Sequence, residues 1–204
     1  ELQRVLFFHP GRYGPAGFYV RDEEGESVER SGEALALAPG RDLSTLTFYN
    51  ALCVHKWREC AGVDSVRLRL AGEGRVKVSC LLATIPGLSR KLPRLEKPLQ
   101  ETGTFVQTCL SETVIDLDSE ETELAPVELG SLGEGLLYFL LSPEGPGQLL
   151  SARWVTDREP ARQVKLGLVI THFNRQAQVR AAAARIREQL LSDPEFDGRI
   201  TLTI

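Results

Sequence analysis

Five consecutive residues, Thr171-His-Phe-Asn-Arg175, gather a hydroxyl, an imidazole, an amide and a guanidinium in one short stretch. They follow an apolar run, Leu166-Gly-Leu-Val-Ile170, and precede a helical pattern. In open α/β sheets, ligands sit beyond the carboxyl ends of the strands, which is where this stretch falls. It lacks both G-x-G-x-x-G and G-x-x-x-x-G-K-S/T. Without those glycines the backbone cannot wrap a pyrophosphate closely. A common dinucleotide fold and a P-loop are therefore not indicated. Recognition must use side chains, backbone carbonyls and the helix N-terminus.

The elements that must position this loop are legible as periodicities. Leu166, Leu168, Val169 and Ile170 predict a strand covered on both faces. Val179, Ala182, Ala183, Ile186 and Leu190 recur at helical spacing, with Arg180, Arg185, Arg187 and Glu188 largely off the stripe. Asn174 is predicted to cap that helix, and Ser192-Asp-Pro194 to end it. Ile200, Leu202 and Ile204 supply a second strand, joined by a right-handed parallel crossover. Residues 164–204 thus read as the first βαβ unit of an α/β domain. Such a unit cannot cover both faces of its sheet, and the chain contains no Met. The encoded protein is expected to extend beyond both Glu1 and Ile204.

Residues 1–160 read differently, as short apolar alternations punctuated by Gly and Pro. Val66, Leu68 and Leu70 alternate with Arg67 and Arg69; Val76, Val78 and Cys80 continue in the same manner after Ala71-Gly-Glu-Gly74, which is predicted to be a hairpin turn. Thr104–Cys109, Thr113–Leu117, Gly135–Leu141 and Leu149–Val155 are further predicted strands. Many short strands with such turns predict a mainly β, jelly-roll-like sandwich. Phe48–Trp57 reads as a short helix or an irregular turn, and Leu88–Gln100 as a surface loop. Asp157-Arg-Glu-Pro160 is the predicted junction between the two domains.

Composition bounds the remainder. The formal net charge of -4 leaves no electrostatic footprint for nucleic acid. No apolar run approaches membrane-spanning length, and no signal-peptide pattern is present. Cys53, Cys60, Cys80 and Cys109 fit no zinc or C-x-x-C spacing and are expected to be reduced and mostly buried. His9, His55 and His172 are too scattered to define a metal site. Glu120, Glu121 and Glu123 read as a solvated turn.

A family resemblance joins the two halves. Ile170-Thr-His-Phe-Asn-Arg175 is similar to the first strand and loop of the inverting family-2 glycosyltransferases of the A-type fold. Thr47-Phe-Tyr-Asn-Ala-Leu-Cys-Val-His-Lys-Trp57 resembles the T-Y-F-N…K-W segment before the catalytic domain of bacterial galactofuranosyltransferase-like enzymes, with Phe48 and Tyr49 swapped. Ala152-Arg-Trp-Val-Thr156 resembles the end of their N-terminal β-sandwich. The resemblance spans most of residues 44–204. It implies that Thr171, His172, Asn174 and Arg175 line the uracil and ribose pocket of a UDP-sugar donor, UDP-galactofuranose being the first choice. Arg175 is the foremost of them, because a guanidinium suits a uracil carbonyl or a phosphate. It also implies a glycan or lipid-linked glycan acceptor, and a cytoplasmic enzyme peripheral to the inner face of the plasma membrane. A divalent metal, manganese or magnesium, would stabilise the departing diphosphate, and a carboxylate base would deprotonate the acceptor. The family's D-x-D motif and base lie beyond the matched region, and Asp116-Leu-Asp118 sits in the β-rich part. This chain alone is therefore expected to be inactive as a transferase.

Alternatives stand beside this reading. Tyr49, Trp57 and Trp154 are candidates for stacking on sugar rings, though a Trp in a sandwich is more often core, with its N–H satisfied. Tyr13, Phe18 and Tyr19 form a glycan platform or seat the N-terminal segment. Arg90, Lys91, Arg94 and Lys97 make a basic loop suited to anionic lipid headgroups or a lipid-linked acceptor, or simply to water. The β-rich domain then serves as a carbohydrate-binding module or as a homo-oligomer interface.

Overall fold

In the computed structural model the described residues are 1–7, 19–22, 28, 30–31, 34–84, 106–161, 165–170, 173–192 and 200–203. The chain divides into two compact units, Glu1–Glu59 with Val63–Glu159, and Cys60–Gly62 with Pro160–Ile204.

The first unit is a curled antiparallel sheet. In chain order its strands are β1 (Gln3–Arg4), β2 (Arg21–Asp22), β3 (Arg30–Ser31), β4 (Ala34–Leu37), β5 (Leu43–Ser44) and β6 (Leu52–Cys53). There follow β7 (Ser65–Thr84), β8 (Val106–Leu117), β9 (Thr122–Glu123), β10 (Val127–Glu128), β11 (Leu136–Pro143) and β12 (Gly147–Val155). The spine is β7, a single strand of 20 residues. One of its edges carries β8, then β9 and β10. The other carries β11 along Val76–Ala83 and β12 along Arg67–Glu73. Beyond these lie β5 and β6 on β11, and β4 and β1 on β12.

The predicted hairpin at Ala71–Gly74 is therefore wrong. The chain runs straight through it, because both halves of β7 find partners elsewhere and neither pairs with the other. The glycines answer to crowding and bending rather than to a turn. A Cβ at Gly72 would run into the carbonyl oxygen of Gln148, and Gly74 sits at φ +109, a conformation that side chains disfavour. The two predicted strands Thr104–Cys109 and Thr113–Leu117 are likewise one strand, β8, whose register on β7 shifts between Cys109 and Ser111.

Alternation along β7 sorts core from surface. Val66, Leu68, Leu70, Val76, Val78, Cys80 and Leu82 are buried, together with Leu137, Phe139, Leu141, Leu149 and Trp154. The rings of Phe139 and Trp154 meet edge-on at 6.1 Å. Trp154 is core as expected, but its indole N–H meets no acceptor among the described residues. On the opposite face, Arg67 and Arg69 reach Glu123, Arg67 also reaches Asp157, and Arg153 reaches Glu121 and Glu1. Glu121 and Glu123 are thus not a solvated turn but the anionic side of this ion-pair lattice.

The cysteines are free thiols, but burial was over-predicted. Cys80 is buried and Cys53 half-buried, whereas Cys60 and Cys109 are exposed. Cys109 lies on β8, nearly all of whose side chains face solvent.

The second unit contains β13 (Leu166–Val169), the helix α1 (Gln176–Ile186) and β14 (Ile200–Thr203). β13 and β14 pair in parallel, Leu166 opposite Ile200 through Val169 opposite Thr203. On α1, Val179 is buried and Ala182, Ala183 and Ile186 are half-buried, while Arg180 and Arg185 are exposed. Ser192 closes the helical stretch, its hydroxyl donating to the carbonyls of Arg187 and Glu188.

Candidate functional site

The candidate nucleotide loop joins β13 to α1. Thr171 and His172 lie outside the described residues. Phe173 is 86% exposed, and Asn174 takes φ 53, a left-handed turn that Asn tolerates better than most side chains. The helix then starts at Gln176 with Arg175 as its N-cap, whose side chain makes no capping bond. Asn174 is therefore not the cap, since it sits one residue too early. The first helical bond runs from the Val179 amide to the Arg175 carbonyl at 3.1 Å.

A shallow depression of about 460 Å³ lies here, bordered by Asn174, Gln176, Ala177, Gln178 and Arg180. Among the described residues, Arg175 makes no capping bond and the first turn holds no acidic side chain to oppose the helix dipole. The surroundings suit a small anion or a polar ring. Arg175 is exposed and is not among the bordering residues; Arg180 is. Arg180 was passed over as merely off the apolar stripe. Its spacing of four from Gln176 was the available signal, since residues four apart share a helix face.

The candidate glycan contacts are scattered. Thr47–Ala51 forms one tight turn, with the Ala51 amide donating to the Thr47 carbonyl at 3.1 Å. Asn50 is fully buried, accepting from the Leu6 amide at 2.7 Å and donating to the Leu6 carbonyl at 3.0 Å. This pins the turn and presents Phe48, which is 75% exposed, edge-on to Tyr49 at 5.2 Å. Tyr49 also meets the buried Tyr19 at 5.0 Å. Trp57 is half-buried on a separate helical turn, Lys56–Cys60, and has no ring contact with Tyr49. Phe48 is the aromatic that the sequence reading missed. Tyr13, Phe18, His9 and the basic residues Arg90, Lys91, Arg94 and Lys97 lie outside the described residues.

Burial pushes the Cys80 thiol up to about 11. The hydrogen bond from Arg67 holds the Asp157 carboxyl below its usual range, and the Ser79 hydroxyl, with Lys77, does the same for Glu112. His55 pairs with Glu59 through Nδ1 at 3.2 Å. Among the described residues no three His, Cys, Asp or Glu side chains come together as a metal-holding group. Asp116 is engaged by Arg75, and Asp118 accepts from Ser119 and the Glu120 amide. No divalent ion is therefore assigned to the Asp116-Leu-Asp118 string.

No family model and no curated protein sequence matches the chain. Among solved structures it is similar to a family two carbohydrate esterase from Cellvibrio japonicus, at 13% identity and a TM-score of 0.29. That match covers 74% of this chain and spans 35% of the esterase chain. A likeness this slight carries neither fold nor chemistry. Among the described residues no helix is long and apolar enough to cross a membrane.

Proposed function

We propose that this chain is the N-terminal part of an inverting family-2 glycosyltransferase of the galactofuranosyltransferase-like kind. In this reading residues 1–160 form the jelly-roll-like sandwich, and residues 164–204 open an A-type nucleotide-sugar domain. The observation that carries it is the parallel β13–α1–β14 unit, with a polar, cationic depression at the carboxyl end of its first strand. Thr171, His172, Asn174 and Arg175 hold the uracil and ribose of a UDP-sugar, and Arg180 adds positive charge toward the diphosphate. Metal and base are assigned to no residue here, so the role of this chain is donor binding rather than turnover. The acceptor is a glycan or lipid-linked glycan at the inner face of the plasma membrane.

Calorimetric titration of UDP into the chain and into Arg175→Ala tests this. A lost charge-assisted hydrogen bond lowers affinity roughly 10- to 100-fold. Equal affinity in both proteins removes Arg175 from the pocket.

A second reading rests on Phe48. An exposed ring braced edge-on by Tyr49 suits stacking against a sugar face. In that case the β unit binds glycan itself. Affinity electrophoresis of the chain with galactans, before and after Phe48→Ala, distinguishes it: retardation that the substitution abolishes supports it, and unaltered mobility of the parent chain removes it.

A further inference from the structure

Among the described residues β8 is an edge without the usual protection. It runs for 12 residues, roughly 40 Å, and pairs only with β7 among the described residues. Nearly all its side chains are exposed, Val106 at 50% and Val114 at 42%. A row of unpaired amides and carbonyls is a template for another strand, and proteins usually guard it with Lys, Pro or a bulge. Val106–Leu117 contains no Lys, Arg or Pro. Among the described residues its single guard is the register shift around Leu110. Its two acids are each paired within the chain, Glu112 with Lys77 at 3.5 Å and Asp116 with Arg75 at 3.1 Å, an arginine that Glu144 shares.

We infer that the β8 edge is a homodimer interface, in which β8 of a second copy adds antiparallel across a two-fold axis at Ser111. Pairing with β7 fixes which side chains share a face: Val106, Thr108, Ser111, Thr113 and Ile115 lie opposite the even-numbered residues of β7. Gln107, Cys109, Glu112 and Val114 lie on the other side. A two-fold axis perpendicular to the sheet keeps each face on its own side, so only same-face residues can meet. An axis at Glu112 sets two carboxylates against each other. An axis at Thr113 leaves Val106 and Gln107 without a partner and sets Ser111 against Ile115. An axis at Ser111 avoids both. It sets Val106 against Ile115 of the second copy, Thr108 against Thr113, Gln107 against Val114, and Cys109 against Glu112. Branched apolar pairs and Thr–Thr pairs are favourable cross-strand neighbours. The exposed Val106 is covered, and Asp116 is left outside the paired region beside Arg75.

Sedimentation velocity of the full chain over a concentration series tests this, with two surface variants. The parent chain is expected to reach twice the mass of one chain. T108K/T113K sets Lys against Lys twice across the axis and is expected to sediment as a monomer. T108K/T113E sets Lys against Glu at the same two places and is expected to restore the dimer. Thr108 and Thr113 are both exposed, so an unchanged thermal midpoint is expected in each variant. A parent chain that stays monomeric at every concentration overturns the inference. So does a dimer that T108K/T113K leaves intact, or one lost equally in both variants at unchanged midpoint.

Discussion

Gly72→Ala separates a continuous β7 from a hairpin at the same residues. In the structure the new methyl meets the carbonyl oxygen of Gln148, with Leu117 Cδ1 and Leu149 Cα each 3.2 Å away. Two of these three are backbone or next to it, so no side-chain rotation relieves the overlap. Overpacking of this kind costs about 1–3 kcal/mol. Moving the backbone also strains the bond from the Gly72 amide to the Asp118 carbonyl, 2.8 Å long, which adds about 1 kcal/mol. The expected loss is therefore about 2–4 kcal/mol. Gly130→Ala and Gly133→Ala are the controls: nothing lies within 4 Å of either added methyl. There the change is expected to be near zero or stabilising by up to about 1 kcal/mol. Urea unfolding followed through the buried Trp154 reads all three, with the slope checked for constancy. If Gly72→Ala melts with the controls, β7 does not pass between β12 and β8 at this point, and the spine of the fold is misplaced.

Two further outcomes follow from the same geometry. Asp157 and Glu112 have folded pKa values below their unfolded ones, so the stability they contribute is full above the ordinary carboxylate value, ~4. It is lost as pH falls through their depressed folded values. Asp157→Asn with Glu112→Gln should therefore flatten the acid limb of a stability–pH curve, and an unaltered limb would show that the two pairs contribute nothing. Under native conditions iodoacetamide should label Cys60 and Cys109 and spare Cys80, whose thiol is buried and pushed up to about 11. Prompt labelling of Cys80, read by peptide mass, would place it outside the core.

The inward face of β7 was legible because Val66 to Leu70 and Val76 to Cys80 alternate strictly. The same alternation held the clue to the missing turn. The phase does not slip across Gly72 and Gly74, as it need not if the strand simply continues. Glycines in a strand and in a hairpin look alike in sequence; the carbonyl of Gln148, 76 positions away, is what distinguishes them. β8 was split in two because a bulge at Leu110 breaks its period while leaving the strand intact. Glu121 and Glu123 were misread for a similar reason: their partners, Arg153, Arg67 and Arg69, are remote in sequence. At the candidate site the helix was visible from Val179, Ala182 and Ala183. Its start was not, because Asn174 adopts a backbone turn that competes with capping.

The central claim is that the end of β13 and the start of α1 receive a uridine nucleotide. Backbone amide NMR of the chain during titration with UDP tests it most directly, with ADP and inorganic phosphate as comparisons. The account predicts saturable shifts concentrated on Phe173 to Arg180, larger for UDP than for ADP, and weakened by Arg175→Ala. Shifts that are absent, that spread over the β unit instead, or that phosphate alone reproduces in full would contradict it.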